Sequence, residues 1–245
     1  MLDSSDTKDS WEPNVWAYLL PFMANMLLAM RFTPDLGPES IDDVSVNTYF
    51  YLVIAQVVIA IAICAFFLRT YLREFPLRID YWAVVVGVVG FFLWIGICEM
   101  GIEKSVLKLI GLESWFPERV GFNPFDQITD DNRRLIFLGF RFLLLAAMVP
   151  LLEELFIRGW LVRYVENPDW HTVKLTDVGR TGIMGIAIYA IATHPGEAIA
   201  AIVWFTLVTI MMIKTGKFWN CVVAHMITNL MLGIYVIQYE QWALW

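Results

Sequence analysis

The sequence predicts an all-α fold: a polytopic transmembrane bundle of about seven to eight membrane-embedded helices, with one amphipathic helix lying at the interface. Three observations predict it. Of 245 residues, 59% are hydrophobic and only 17% are charged, too few charges to clothe a soluble domain of this length. Mean hydropathy is +0.62. The apolar residues also collect in runs near the ~20 that cross a bilayer core. The length suits one compact helical domain rather than two.

Along the chain, residues 1–13 form a polar tail with Asp3, Asp6, Asp9 and Glu12. The apolar run that follows contains Pro21 and no small-residue cleavage site, so it reads as a retained span rather than a signal peptide. Seven embedded segments are expected, over 14–30, 48–69, 81–101, 134–157, 180–195, 197–213 and 218–238. The first, fifth and sixth are short for a bilayer and are expected to be tilted or shielded inside the bundle. Between the third and fourth, Ile102, Val106, Leu109, Ile110 and Leu112 recur at helical spacing among Glu103, Lys104 and Lys108. This predicts a helix over 102–116 in the interface plane, or one packed on the bundle surface. Organisation thus divides into the tail, N-terminal membrane helices over 14–133, and a C-terminal helical core over 134–245.

Arg69, Arg73 and Arg78 follow the second span, Arg163, Lys174 and Arg180 the fourth, and Lys214 and Lys217 the sixth. All three loops fall on one side, which the positive-inside rule makes cytoplasmic. The net charge of −7 comes largely from the tail and from Asp35, Glu39, Asp42 and Asp43. That distribution excludes nucleic acid as a partner, which needs clustered Lys and Arg; the expected partners are membrane lipid and a membrane-associated protein or peptide. Cys64, Cys98 and Cys221 are scattered through apolar runs as small core residues, with no disulfide or metal-knuckle spacing.

Ionisable groups in hydrocarbon are expensive, and three places in the second half concentrate them. In Pro150-Leu-Leu-Glu153-Glu154-Leu-Phe-Ile-Arg158, Glu154 and Arg158 are four apart and share a helix face, so they can pair. Glu153 is turned by about 100° toward another neighbour, and Pro150 can kink the helix ahead of it. Thr193-His194-Pro195-Gly196-Glu197 breaks the fifth segment from the sixth. His225 and Asn229, again four apart, project from one face of the last span. Arg141 and Glu99 read as a structural pair, and His171 as a solvated loop residue. Structural readings also exist for the three places: an interface-anchoring ion pair, a loop histidine, and interhelical glue. Together, however, two carboxylates, two imidazoles, an Asn and an Arg suffice to hydrolyse an amide. Neither a nucleophile motif nor an HExxH is present.

Glu153-Glu154-x-x-x-Arg158 followed by His225-x-x-x-Asn229 resembles the signature of the CAAX protease and bacteriocin-processing family of intramembrane proteases, which includes the type II CAAX prenyl endopeptidases. The resemblance covers roughly 134–238. Through Gln241-Trp242-Ala-Leu-Trp245 it is nearest to the exosortase-associated CAAX-protease-related proteins of bacteria. It implies an endopeptidase in the bacterial inner membrane, with Glu153 as general base assisted by His194. It further implies that His225 and Asn229 stabilise the oxyanion, and that Glu154 and Arg158 hold their helix in register. No cofactor is required on this reading, although Glu153, His194 and His225 could equally ligate a divalent metal such as zinc.

One departure stands out. The family's middle motif is Phe-x-x-x-His, and Tyr189 in the Phe position puts Thr193, not His194, at the second. Local unwinding before Pro195 would bring His194 round; otherwise the protein is a scaffold or immunity-type binder that retains the fold. A small transporter is a third class, disfavoured because no matching pair of interrupted helices is evident. The site groups are expected to converge in mid-membrane, toward the cytoplasmic side.

Overall fold

The computed structural model describes residues 12–30, 43–111 and 121–244. Most of the polar tail, the acidic run at Asp35, Glu39 and Asp42, and the 112–116 end of the expected interfacial helix lie outside the described residues. The described chain is entirely helix, turn and loop, as expected. Its helices are α1 (Trp16–Ala29), α2 (Asp43–Phe66), α3 (Leu68–Glu74), α4 (Tyr81–Glu99), α5 (Ile102–Leu109) and α6 (Pro124–Gln127), then α7 (Asp131–Glu166), α8 (Arg180–Thr193), α9 (Ala198–Thr215) and α10 (Phe218–Tyr239). Among the described residues, five stretches are long and apolar enough to cross a membrane: 46–66, 81–99, 131–166, 195–215 and 218–239. α1 and α8 are the shorter apolar helices among the expected seven.

The fourth span departs from its expected end near 157: α7 runs on to Glu166. Arg163, which looks in sequence like a loop residue, is absorbed by the bundle. Arg163 pairs with Glu74 at 2.8 Å and donates to the carbonyls of Gly159, His171 and Val173. α7 widens into π-helix twice, at Leu144–Met148 and Ile157–Leu161. The first π turn lies just ahead of Pro150, which has no N–H to return to residue 146. The chain accommodates the missing bond by inserting a wider turn rather than by a sharp kink, the usual form of a π-bulge inside an α-helix.

Close backbone approach sets the contact of α4 with α9 and α10. A Cβ on Gly87 would sit 2.8 Å from the Ala224 carbonyl, and one on Gly90 would sit 2.6 Å from Trp204 Nε1. Thr228 Oγ1 uses the space to donate to the Gly87 carbonyl at 2.8 Å and to accept from Trp204 Nε1 at 3.0 Å. Small residues at a helix contact permit this kind of packing in lipid, where burial alone drives little. At the Arg- and Lys-rich end, Asp80 caps α4, pairs with Lys217 at 2.7 Å and exchanges two hydrogen bonds with Asn220. At the opposite end α5 turns its one buried residue, Glu103, inward to accept from the Ile199 N–H at the start of α9. Val106, Leu109 and Ile110 are left exposed, the arrangement an interfacial helix needs to face lipid.

Candidate active site

Glu153 and Glu154 leave α7 between its two π turns, on adjacent faces. Glu154 and Arg158 are both fully buried and pair at 2.5 Å. Arg158 also donates to the Phe205 carbonyl at 3.2 Å, while Thr209 Oγ1 lies 3.4 Å away. The other oxygen of Glu154 does something the sequence does not suggest: Oε1 stands 3.0 Å from His225 Nδ1. A carboxylate on Nδ1 fixes that nitrogen as the protonated one and aims Nε2 the other way. Nε2 in turn lies 3.8 Å from Glu153 Oε2, beyond a direct hydrogen bond. His225 is thus held between the two carboxylates, its ring 4.4 Å from that of Trp204.

Asn229, one turn further along α10, donates through Nδ2 to the Leu145 carbonyl at 3.0 Å. Leu145 belongs to the first π turn of α7, where widened spacing leaves a carbonyl available. An amide nitrogen carries two hydrogens, so this contact orients Asn229 and leaves one N–H. His194 ends α8 outside helical geometry, at φ −128° and ψ 59°, before the 3₁₀ turn Pro195–Glu197. Thr193 Oγ1 donates to the Tyr189 carbonyl at 2.9 Å and meets His194 Nδ1 at 2.8 Å. With its single proton committed to the carbonyl, Thr193 accepts from Nδ1–H, which leaves His194 Nε2 as the basic nitrogen.

Glu153, His194, His225 and Asn229 all line one cavity of about 230 Å³. Trp94, Trp204 and Phe205 form its aromatic wall, with Arg141 and Glu197 at one end. Sequence reasoning missed the three aromatic residues, and it named Arg141 and Glu197 without giving them a place in the site. Arg141 had a signal, a cation inside an apolar run, but it reads there as the partner of Glu99; instead Glu99 accepts from the Tyr235 hydroxyl at 2.7 Å and Arg141 faces the cavity. The aromatic residues carry none, since Trp and Phe are everywhere in this chain. The cavity runs from Glu153 toward the end where α7 begins and α10 ends, away from the Arg- and Lys-rich loops. Glu153 is interior to a helix that continues to Glu166, not placed at a helix end.

For a metal the donor set is sparse. Among the described residues no group of three His, Cys, Asp or Glu side chains stands at metal-binding spacing, so Glu153 and His225 gain no third ligand from His194. No curated protein and no solved structure matches the chain. The family model described as type II CAAX prenyl endopeptidase Rce1-like matches residues 136–231. That stretch, which spans every residue from Glu153 to Asn229, is what in this membrane chain is similar to the type II CAAX prenyl endopeptidases.

Proposed function

We propose that the protein is an intramembrane endopeptidase that hydrolyses a peptide bond of a membrane-associated protein or peptide in the bacterial inner membrane. One observation carries the reading: a carboxylate, two imidazoles and an amide line a single cavity inside an apolar bundle, with the Glu154–Arg158 pair buried behind His225. Structural glue would need far fewer polar groups, and each is costly at this depth. Glu153 is the general base. The gap between its carboxylate and His225 Nε2 is the span a water molecule can bridge, and His194 Nε2 offers a second acceptor in the same cavity. As water adds to the scissile carbonyl, Asn229 Nδ2–H and a protonated His225 Nε2 donate to the developing oxyanion. Glu154 then has a positioning role beyond its pair with Arg158, because it holds His225 by Nδ1. The sparse donor set favours the metal-free version of this scheme.

A catalytically silent scaffold is the competing reading, favoured by Thr193 standing where the resemblance expects His. Glu153→Gln separates the two. Cleavage of a membrane-anchored reporter should fall by about 10²–10⁴-fold with the melting curve of the purified protein unchanged. A variant that keeps its biological function intact would establish the scaffold.

A further inference from the structure

A second cavity, of about 490 Å³, lies among the helix ends at the Arg- and Lys-rich end of the bundle and shares no lining residue with the cavity around Glu153. The end of α3, the linker to α4, the loop after α7 and the turn between α9 and α10 meet around it. Four cations line it: Arg78, Arg163, Lys174 and Lys217. Two of them are already compensated. Arg163 is buried and pairs with Glu74, and Lys217 pairs with Asp80. Arg78 and Lys174 are exposed and, among the described residues, have neither an ion pair nor a hydrogen bond. The backbone that presents them is fixed on both sides. Arg163 holds the loop before Lys174 through the His171 and Val173 carbonyls, at 3.2 and 2.8 Å. The linker carrying Arg78 is pinned ahead by Phe75, whose carbonyl accepts from Trp219 Nε1 at 2.8 Å and whose ring stacks on that of Phe218. Behind Arg78, Asp80 is held by Lys217 and Asn220. Two uncompensated cations are thus kept facing one concave space, and such a site concentrates anions.

We propose that this cavity binds a phosphate group, with Arg78 and Lys174 as its two charge partners. Arg offers a planar fork of donors that matches phosphate oxygens two at a time, and Lys adds a mobile point charge. Position in the bundle favours phosphate over other anions. The cavity sits where α4 and α10 begin and α9 ends, which is headgroup depth for helices that terminate at the bilayer surface. Tyr81 and Trp82, exposed at the start of α4, mark the same depth. Leu77 and Ile79 flank Arg78 and are exposed as well, an apolar surface for acyl chains beside a cation for the headgroup. The ligand is therefore an anionic phospholipid, and a soluble phosphate compound is the other source of the same chemistry. The site does not depend on peptide hydrolysis or on which leaflet it faces.

Thermal melting of the full chain, purified in an uncharged detergent, tests the site with three probes: dihexanoyl phosphatidylglycerol, dihexanoyl phosphatidylcholine and inorganic phosphate. At about 100-fold above its half-saturating concentration, a ligand of the folded state should raise Tm by about 5–10 °C for a chain of this size. Phosphatidylglycerol should give this shift, and phosphatidylcholine, with the same chains and no net charge, should not. The double variant Arg78→Gln/Lys174→Gln should lose the shift and, without ligand, melt within about 2 °C of the parent, because neither side chain has a partner to lose. Lys174→Gln alone should raise the half-saturating concentration by about 10-fold. Arg73→Gln, which removes an exposed cation of α3 outside the cavity, should leave the shift intact. A shift with inorganic phosphate equal to that with phosphatidylglycerol would keep the site and make its ligand a soluble one. Equal shifts with the two lipids overturn the proposal, as does a shift that survives in the double variant or one that Arg73→Gln also removes. So does the absence of a shift with every probe.

Discussion

Replacing Arg158 by Met tests whether the polar chain beneath the cavity is as desolvated as its geometry says. Arg158 and Glu154 have no solvent exposure, so removing the guanidinium leaves the Glu154 carboxylate buried with His225 as its remaining partner. Breaking a buried ion pair from one side costs about 3–5 kcal/mol. For a chain of this size each kcal/mol lowers Tm by about 2–4 °C, so a fall of roughly 6–20 °C is expected in detergent. The double variant Glu154→Met/Arg158→Met removes both charges and should recover most of the loss. It does not recover all, because His225 Nδ1–H then lacks its acceptor, at about 1–3 kcal/mol. Cleavage should be lost in both variants. Scanning calorimetry or dye-based melting on the purified proteins reads the stability difference, and a reporter assay reads the activity. An Arg158→Met protein melting within about 2 °C of the parent would refute the premise that the pair is shut off from solvent.

Other outcomes follow from the same contacts. Thr193→Val removes the hydroxyl that orients His194; cleavage should fall by about 5–10-fold, and the pH–rate profile should change shape, whereas a merely structural Thr would shift Tm alone. Gly87→Ala places a Cβ 2.8 Å from the Ala224 carbonyl and should destabilise by about 1–3 kcal/mol, while Gly96→Ala, whose nearest neighbour is 3.9 Å away, should be neutral in the same melting assay. The Asp80 carboxyl is held below the usual carboxylate range, chiefly by its hydrogen bond from Lys217. Its folded value is depressed, so its contribution is present above the ordinary carboxylate range and lost as pH falls through the depressed value. Stability of the parent should therefore drop on acidification more steeply than that of Asp80→Asn, and parallel acid-unfolding curves would count against the pair.

The fold was largely legible because lipid imposes a simple code: apolar runs of helical length with polar breaks between them. Glu154 and Arg158 were legible as a pair because an interval of four places two side chains on one helix face. What stayed hidden depends on tertiary contact or on backbone irregularity. A π turn has no compositional signature, and only Pro150 hints at the one before it. The length of α7 was not legible because Arg163 resembles a loop residue until Glu74 and three carbonyls are seen around it. His225 and Asn229 stood out as a matched pair on one face, yet that Glu154 would claim Nδ1 depends on how α10 lies against α7. Arg141 was visible as an oddity, and its place at the end of the cavity was not.

Charge conservation within the buried set leads to one more expectation. Glu153, Glu154 and Arg158 together carry one net negative charge when all are ionised. An isolated charge at this depth is strongly disfavoured. A single proton on His225 or on Glu153 neutralises the set, and Nε2 and Oε2 stand 3.8 Å apart, close enough to pass that proton through one water. Before attack the proton belongs on His225, leaving Glu153 as base; after water adds, Glu153 holds the proton taken from it and delivers it to the leaving amine. Glu154 makes this possible by keeping Nδ1–H occupied, so that Nε2 is the only nitrogen of His225 that can exchange. Glu154→Gln tests the scheme: the amide still accepts from Nδ1–H but removes the negative charge. The set is then neutral with no added proton, and the oxyanion donor on His225 Nε2 is lost from the resting state. Cleavage should fall by about 10²–10³-fold, the usual effect of one oxyanion donor, with melting altered far less than in Arg158→Met. Full activity in Glu154→Gln would mean that His225 does not need the proton, and the oxyanion role would have to rest on Asn229 alone.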